Sequence, residues 1–491
     1  MNLLLGDTIA AIATAPGEAG LAVLRVSGPD ALTLADRMFA PAGAADAPGG
    51  AGRLARAPSH TLHHGWAVWP GSGGRANERD SGGVGEPGTE AGERLDEVVV
   101  ALFRAPRSYT REDVVELSCH GGARSAHRLL AALLAAGARL ARPGEFTLRA
   151  FLNGRIDLAE AEAVADLIHA ATDAAHRLAL SQLGGALSRE LAGVRERLAD
   201  AVAEVEARVD FAEDVGGIEV PAHVVAAIAE VEDELSRLLD GAAWARAVRE
   251  GVRVPIVGRP NVGKSSLFNA LVGEERSIVT ALPGTTRDRV SEAIELDGVR
   301  VTLSDTAGLR ESAGPVETIG IERARAALAA SPLALWVVDG SAALHSEDRA
   351  IAGAFAGKPV LVAINKADRS AAFDADAVLG VLEGAAPPTV RVSALTGAGI
   401  PALKGELSRL LGGGSNGTRL GAATGNPRHT EALGRGRASL GRARDAAQQG
   451  MPGEIVALEL REALAAVGEV TGDAVGEDIL ARIFSRFCVG K

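Results

Sequence analysis

Cysteine, aromatic side chains and long uncharged stretches are all scarce in this sequence. Cys119 and Cys488 are the only cysteines in 491 residues, too few for a disulfide framework and in keeping with a reducing compartment. Nowhere does the chain run for the roughly 18 uncharged apolar residues that a membrane-spanning helix needs, so no membrane span is expected. The opening Met1-Asn2-Leu3-Leu4-Leu5-Gly6-Asp7 lacks the basic segment and long apolar core of a signal peptide, and a cytoplasmic protein is expected. A formal net charge of −12 argues against a surface devoted to nucleic acid, while leaving room for a local basic patch. The apolar content of 47% is globular. The length exceeds one ordinary core, so roughly two to four domains are expected.

What the chain does have is one sharply defined stretch, Gly258-Arg259-Pro260-Asn261-Val262-Gly263-Lys264-Ser265-Ser266. It fits G-x-x-x-x-G-K-[ST], follows the apolar run 252–257 and precedes Leu267-Phe268-Asn269-Ala270-Leu271-Val272, which reads as the first turns of a helix. Strand, glycine loop and helix together form a phosphate cradle. Backbone N–H groups at the helix N-terminus meet the phosphate charge, Lys264 reaches the β and γ phosphates, and Ser265 offers its hydroxyl to Mg2+.

Short Val-rich runs at 21–26, 98–103 and 114–117 read as strands, and 125–136 as a helix, of a small α+β domain. Residues 71–92 contain almost no large apolar side chain and read as a flexible loop within it. From Leu158 the apolar period becomes helical, through 176–209 and 222–250. Strand and helix alternate from 252 to about 411, with strands expected at 301–303, 334–338 and 360–364. A Gly-, Ser- and Asn-rich linker at 412–427 leads to helical stretches at 428–450 and 454–487. The α/β unit thus stands between two helical segments, which pack either as one helical domain with the unit inserted or separately.

Three further segments of the α/β unit choose the base and the chemistry. Asp305-Thr306-Ala307-Gly308 ends a strand, where a carboxylate can hold Mg2+ through water and Gly308 can approach the γ-phosphate. Asn365-Lys366-Ala367-Asp368 follows the strand 360–364, and Asp368 can accept from N1–H and the exocyclic amine of guanine, which adenine cannot donate. Ser393-Ala394-Leu395 can close over the base. Three such segments in order, each at a strand end, point to GTP. Leu309 stands where a Ras-like enzyme carries its water-orienting Gln. Glu317 can take that part through a bridging water, or only start a solvated helix. The loop Thr280-Ala281-Leu282-Pro283-Gly284-Thr285-Thr286-Arg287-Asp288 fits a switch segment, with Thr286 as a second Mg2+ hydroxyl.

Taken with segments elsewhere, these motifs resemble one family, the MnmE (TrmE) tRNA-uridine modification GTPases. The likeness covers Asp7-Thr8-Ile9-Ala10, Leu24-Arg25-Val26-Ser27-Gly28 and 108–117. It continues through His120-Gly121-Gly122, Arg142-Pro143-Gly144-Glu145-Phe146, Arg149-Ala150-Phe151-Leu152-Asn153-Gly154 and the closing Phe487-Cys488-Val489-Gly490-Lys491. It implies a multidomain protein: an α+β folate-binding and dimerisation domain (1–153), an all-α helical domain in two parts (154–250 and 412–491) and an inserted α/β Ras-like G domain (251–411). It implies a GTP hydrolase that pairs its G domains across a homodimer and uses K+ in place of an arginine finger, with K+ at Asn261, Thr280, Leu282 and Thr285. Nucleotide contacts then span 261–266, 280–286, 305–308, 365–368 and 393–395. A 5-formyl- or methylene-tetrahydrofolate is expected at Arg25, Glu116, Arg155 and Lys491, with Arg155 where a Lys is usual. Cys488, three residues from the C-terminus, reads by its position either as a nucleophile or acid or as a small apolar anchor of the tail. The resemblance further implies an FAD-containing partner of the MnmG (GidA) type in a heterotetramer, since the chain has no flavin fingerprint of its own. The reaction implied adds an aminomethyl-type group to C5 of the wobble uridine (U34) of tRNA.

Arg428, Arg435, Arg437, Arg442 and Arg444 form the one basic helical stretch, able to touch tRNA phosphates or to serve as a solvated face. The rival class is a ribosome-assembly or regulatory GTPase without modification chemistry, which has no reason to carry the Cys-Val-Gly-Lys tail. A folate-dependent one-carbon enzyme using GTP only for regulation is a third reading.

Overall fold

The structure is a computed structural model describing residues 6–42, 53–70, 92–210, 219–273, 291–305, 331–355, 358–373, 378, 380, 386–412, 423–473 and 475–491. The loop expected at 71–92 lies almost wholly outside the described residues. The chain divides into two compact units, Met1–Ala165 with Thr471–Lys491, and Asp166–Val470.

The first unit is built on strands β1 (Ile9–Ile12), β2 (Ala19–Ser27), β3 (Phe39–Pro41), β4 (Thr61–Val68), β5 (Arg94–Phe103), β6 (Val114–Gly121) and β7 (Arg139–Leu140). Their order is β3-β4-β5-β6-β2-β1-β7. Alternation sets the faces: along β2, Ala22, Leu24 and Val26 are buried while Val23 and Arg25 point the other way. Helices Ala31–Arg37 and Ala123–Ala136 cover the apolar face, where Leu24, Val26, Leu117, Leu129 and Leu133 share one core. Because β2 pairs with β6 on one side and β1 on the other, Arg25 is on an interior strand, directly across from Glu116.

The end of the chain belongs to this unit. Helix Glu477–Phe484 sends Leu480 and Phe484, followed by Phe487, into a core with Leu148, Leu158 and Ala161. The sequence pattern gives 454–487 as one helical stretch. The run instead breaks between helices Gly453–Thr471 and Glu477–Phe484, around Gly472 and its left-handed φ of 96°.

This unit also holds a buried cation. Arg149, 1% exposed, donates from Nη1 to the Asp7 carbonyl at 2.8 Å and from Nη2 to Asp7 Oδ1 at 2.5 Å. It also pairs with Glu112 at 3.1 Å and Glu145 at 3.4 Å, and Arg139 bridges the same Asp7 and Glu145 at 2.6 and 2.5 Å. Burial pushes the Asp7 and Glu145 carboxyls up. The bonds to Arg139, together with Arg149 at Asp7 and the Arg142 N–H at Glu145, outweigh it and hold both below their ordinary values.

The second unit places helices Asp173–Leu183, Ala186–Asp210, Ala222–Asp240 and Ala242–Glu250 before an α/β sheet, and Pro427–Gln448 and Gly453–Thr471 after it. Helix Pro427–Gln448 packs along Ala222–Asp240, and ion pairs Arg444–Glu232 and Arg461–Glu206 join the two flanks. The α/β unit is therefore an insertion. Its strands are β8 (Val252–Val257), β9 (Ser291–Leu296), β10 (Val299–Asp305), β11 (Ala334–Asp339), β12 (Val360–Asn365) and β13 (Thr389–Arg391), in the order β13-β12-β11-β8-β10-β9. All pairs are parallel except β9 with β10. Near-continuous burial along β11 and β12 is what a parallel strand covered on both faces requires.

Carboxyls with lowered pKa values contribute stability that is present above the ordinary carboxylate range and lost as pH falls through and below it. Urea unfolding measured across pH should therefore show stability falling from about pH 5 downwards. Arg149→Met should cost about 3–5 kcal/mol at neutral pH, since it takes the buried cation from Glu112 and leaves Asp7 and Glu145 to Arg139 alone, and should flatten the acid limb.

Candidate functional site

The glycine loop leaves the C-terminal end of β8, which lies between β10 and β11. The chain turns to one side for β9 and β10 and to the other for β11, so the loop opens at a topological switch point. The loop is tight. A Cβ at Gly258 would meet the Val337 carbonyl at 2.3 Å, and one at Gly263, with φ of 95°, would meet Asn365 Nδ2 at 2.3 Å. Asn261 also takes a left-handed φ of 62° and is exposed, as is Ser265. Lys264 begins helix Lys264–Gly273, and its ammonium donates to the Gly258 and Arg259 carbonyls at 2.8 and 2.7 Å. The charge is thus held within the loop whose phosphates it would meet.

One amide ties three motif segments together. Asn365, 2% exposed, donates from Nδ2 to the Val262 carbonyl at 2.9 Å and accepts at Oδ1 from the Ala394 N–H at 3.0 Å. Lys366, at φ 67°, pairs with Asp339 at 2.5 Å. Burial raises the Asp339 carboxyl, but Lys366 and two bonds from Ser341 lower it more. Asp368 is exposed and accepts from Ser393 Oγ at 2.5 Å, a bond that holds its carboxyl below the usual range. Leu395, which follows Ser393 and Ala394 on their loop, is 83% exposed.

Two parts of this site carry no motif signal in the sequence: Asp339 under Lys366, and the ion pair of Arg259 with the fully buried Asp348 at 2.8 Å. The second fastens the glycine loop to helix Ser346–Gly353. Residues Thr280, Ala281, Leu282, Pro283, Gly284, Thr285, Thr286, Thr306, Ala307, Gly308 and Glu317 lie outside the described residues, while Asp305 closes β10 across from Ile256 of β8.

A second cluster forms in the first unit. The Arg25 guanidinium pairs with Glu116, at 2.9 Å from Nε and 2.8 Å from Nη2. It donates from Nη1 to the Gly490 carbonyl at 3.4 Å and has its Cζ 5.0 Å from the Tyr109 ring centroid. The Arg155 Cζ is 4.7 Å from the same ring. Lys491 follows Gly490, and its N–H donates to the Cys488 carbonyl at 3.3 Å. Arg25, Glu116, Arg155 and the tail are therefore brought to one place. Cys488 is exposed on that tail. Cys119 is buried on β6, and burial with the charge of Asp96 pushes its thiol up to about 11, so it remains a protonated core residue.

The basic helix is largely neutralised. Arg435 pairs with Glu469, Arg442 with Glu459 and Arg444 with Glu232, while Arg428 donates to the Val470 carbonyl at 3.0 Å. Arg437 is exposed. Among the described residues no group of His, Cys, Asp and Glu is placed to hold a metal by itself, and no helix is long and apolar enough to cross a membrane.

A P-loop at the switch point of a sheet in this order, tied by Asn365 to a loop bearing Asp368, defines a Ras-like G domain inserted in a helical domain. The family described as "GTP-binding protein TrmE N-terminus" matches residues 8–155, and that described as "MnmE helical domain" matches 158–488. The tRNA modification GTPase MnmE of Symbiobacterium thermophilum is 46% identical over 487 residues, 99% of each chain. Its counterpart in Chloroflexus aurantiacus is 46% identical over 489 residues, 99% of this chain and 100% of the relative. That of Heliobacterium modesticaldum is 42% identical over 502 residues, again 99% and 100%. The chain belongs to the MnmE family of tRNA modification GTPases.

Asn365→Ala removes both bonds of the amide and leaves the Val262 carbonyl and the Ala394 N–H without it. Affinity for a fluorescent GDP analogue should fall by about tenfold or more, the cost of unsatisfied buried groups at about 1–3 kcal/mol each. Unchanged affinity would show that the bridge does not shape the site.

Proposed function

We propose that the protein hydrolyses GTP within a wobble-uridine modification reaction. With an FAD-containing partner of the MnmG type it would add a carboxymethylaminomethyl or aminomethyl group to C5 of U34 in certain tRNAs. The observation that carries this reading is the meeting of Arg25, Glu116, Arg155 and the C-terminal tail around Tyr109. These positions are far apart in sequence, and the family resemblance links them to a 5-formyl- or methylene-tetrahydrofolate. A site with two guanidinium groups and the Glu116 carboxylate, next to the tail that ends in Lys491, suits an anionic, hydrogen-bonding ligand of that kind. The folate would supply the carbon and the partner's flavin the redox chemistry. Cys488, exposed on the tail beside this cluster, would serve as nucleophile or acid.

On the same reading residues 1–153 bind the folate and form the homodimer, 154–250 and 412–491 make the helical domain, and 251–411 are the G domain. Lys264 would exchange its two carbonyl partners for β and γ phosphate oxygens. Asp368, already ionised and oriented by Ser393, would accept the two guanine donors. Ser265 and Asn261, exposed oxygen-bearing side chains on the loop, fit hard cations. Ser265 would hold Mg2+ with Thr286, and Asn261 would hold K+ with Thr280, Leu282 and Thr285. When bound, K+ would supply the positive charge between β and γ phosphates that an arginine finger supplies in other GTPases. Glu317 would orient the attacking water. The neutralised basic helix gives little support to tRNA binding along 428–444, and tRNA would be engaged elsewhere.

GTP hydrolysis by the full-length protein should be stimulated by K+ and not by Na+ at equal ionic strength. Equal rates in the two salts would remove the Asn261 cation site from the mechanism.

A further inference from the structure

The chain has a single tyrosine, and two guanidinium groups meet on it. Arg25 Cζ and Arg155 Cζ lie 5.0 and 4.7 Å from the Tyr109 ring centroid, and Arg155 Nη1 also donates to the Tyr109 carbonyl at 3.0 Å. The phenol oxygen is 2.9 Å from Oγ1 of the fully buried Thr147, and the ring packs against Ile9, Ala11, Ala141 and Phe146.

The segment that carries the ring is fixed on both sides. Ser108 Oγ donates to the Glu112 carbonyl at 2.5 Å, and Asn153 Nδ2 donates to the Thr110 carbonyl at 2.7 Å. The buried hydroxyls of Thr110 and Ser27 are 2.6 Å apart. Arg111 is kept at a left-handed φ of 61° while its Nη1 donates to the Asn153 carbonyl at 3.0 Å. A non-glycine residue holds that conformation only where its surroundings over-determine it.

Two like charges brought to one place repel. Glu116 answers Arg25, and among the described residues no carboxylate pairs with Arg155. The electron-rich face of an aromatic ring is what can keep both guanidinium groups there. Arginine stacks on such a face better than lysine does, which suits Arg155 to this position.

We propose that Tyr109 is the positioning residue of the one-carbon site, holding Arg25 and Arg155 at a fixed spacing for the bound folate. The inference rests on the tetrahydrofolate reading above. Tyr109 itself transfers no group; it acts through the two arginines.

The test is equilibrium dialysis of 5-formyltetrahydrofolate against the full-length protein and its Y109F, Y109L, R155A and Y109L/R155A variants. Losing two cation–π contacts in Y109L should weaken binding by about tenfold, and Y109F, which keeps the ring, by no more than about threefold. Y109L should cost less in the R155A background than in the wild type, because one of the groups the ring holds is gone. Equal affinity of Y109L and wild type, or full additivity in the double variant, would overturn the proposal. The sole tyrosine also allows a measurement that needs no variant. With 3-fluorotyrosine incorporated, its single 19F resonance should shift on folate addition and saturate with the same Kd; a resonance that stays in place while folate binds would overturn the proposal. If the wild type binds no folate, the tetrahydrofolate reading fails and the proposal with it; if it binds and Tyr109 is indifferent, only the proposal fails.

Discussion

A Cβ at Gly490 would lie 2.5 Å from the Ile12 carbonyl oxygen and 2.8 Å from Ala13 Cα. The C-terminal tail therefore reaches the first strand only because that position is glycine, at a φ of 95°. The same contact puts the Gly490 carbonyl in reach of Arg25 and the last residue of the chain beside a strand near its beginning. Gly144 repeats the device: its Cβ would meet the Phe484 carbonyl at 2.6 Å, so helix Glu477–Phe484 can lie close against the start of Glu145–Leu152. Phe484 and Phe487 then seal the tail with apolar surface. Without these two close approaches the tail that ends in Lys491 would not reach the place where Arg25, Glu116 and Arg155 meet.

Behind the tail, the buried Arg149 serves a similar purpose with charge. It draws Asp7, Glu112 and Glu145 from three segments to one guanidinium. Glu112 in turn accepts from Ser27 Oγ at 2.6 Å, next to Arg25 on β2. Removing one partner of such a network leaves buried charges uncompensated. In the second unit Asn365 plays the comparable part with a neutral amide.

Much of the G domain was legible in the sequence because its motifs sit at strand ends and β8, β11 and β12 are near-continuous apolar runs. The glycine loop, Asn365 to Asp368 and Ser393 to Leu395 all fall at strand ends. The helical breaks were harder: 176–209 divides at Gly184 and Gly185, the latter with φ of 74°, and periodicity alone does not register two glycines inside a longer stripe. The arginine network and the Tyr109 platform were not legible at all, although Asp7, Tyr109, Glu112 and Arg149 stood within recognised motifs. Their meaning depends on long-range register, such as Arg25 facing Glu116 across β2 and β6, which no local pattern contains. The carboxylate partners of the basic stretch at 428–444 escape the sequence for the same reason, since they lie on other helices.

The central claim is that the G domain and the tail-bound cluster serve one reaction on tRNA. The most direct measurement is mass spectrometry of wobble-position nucleosides in tRNA from cells lacking the protein, complemented with wild type or with Cys488→Ser. Loss of the C5 aminomethyl-type modification, restored by wild type and not by Cys488→Ser, is the expected result. Unchanged wobble uridines in the cells lacking the protein would contradict it.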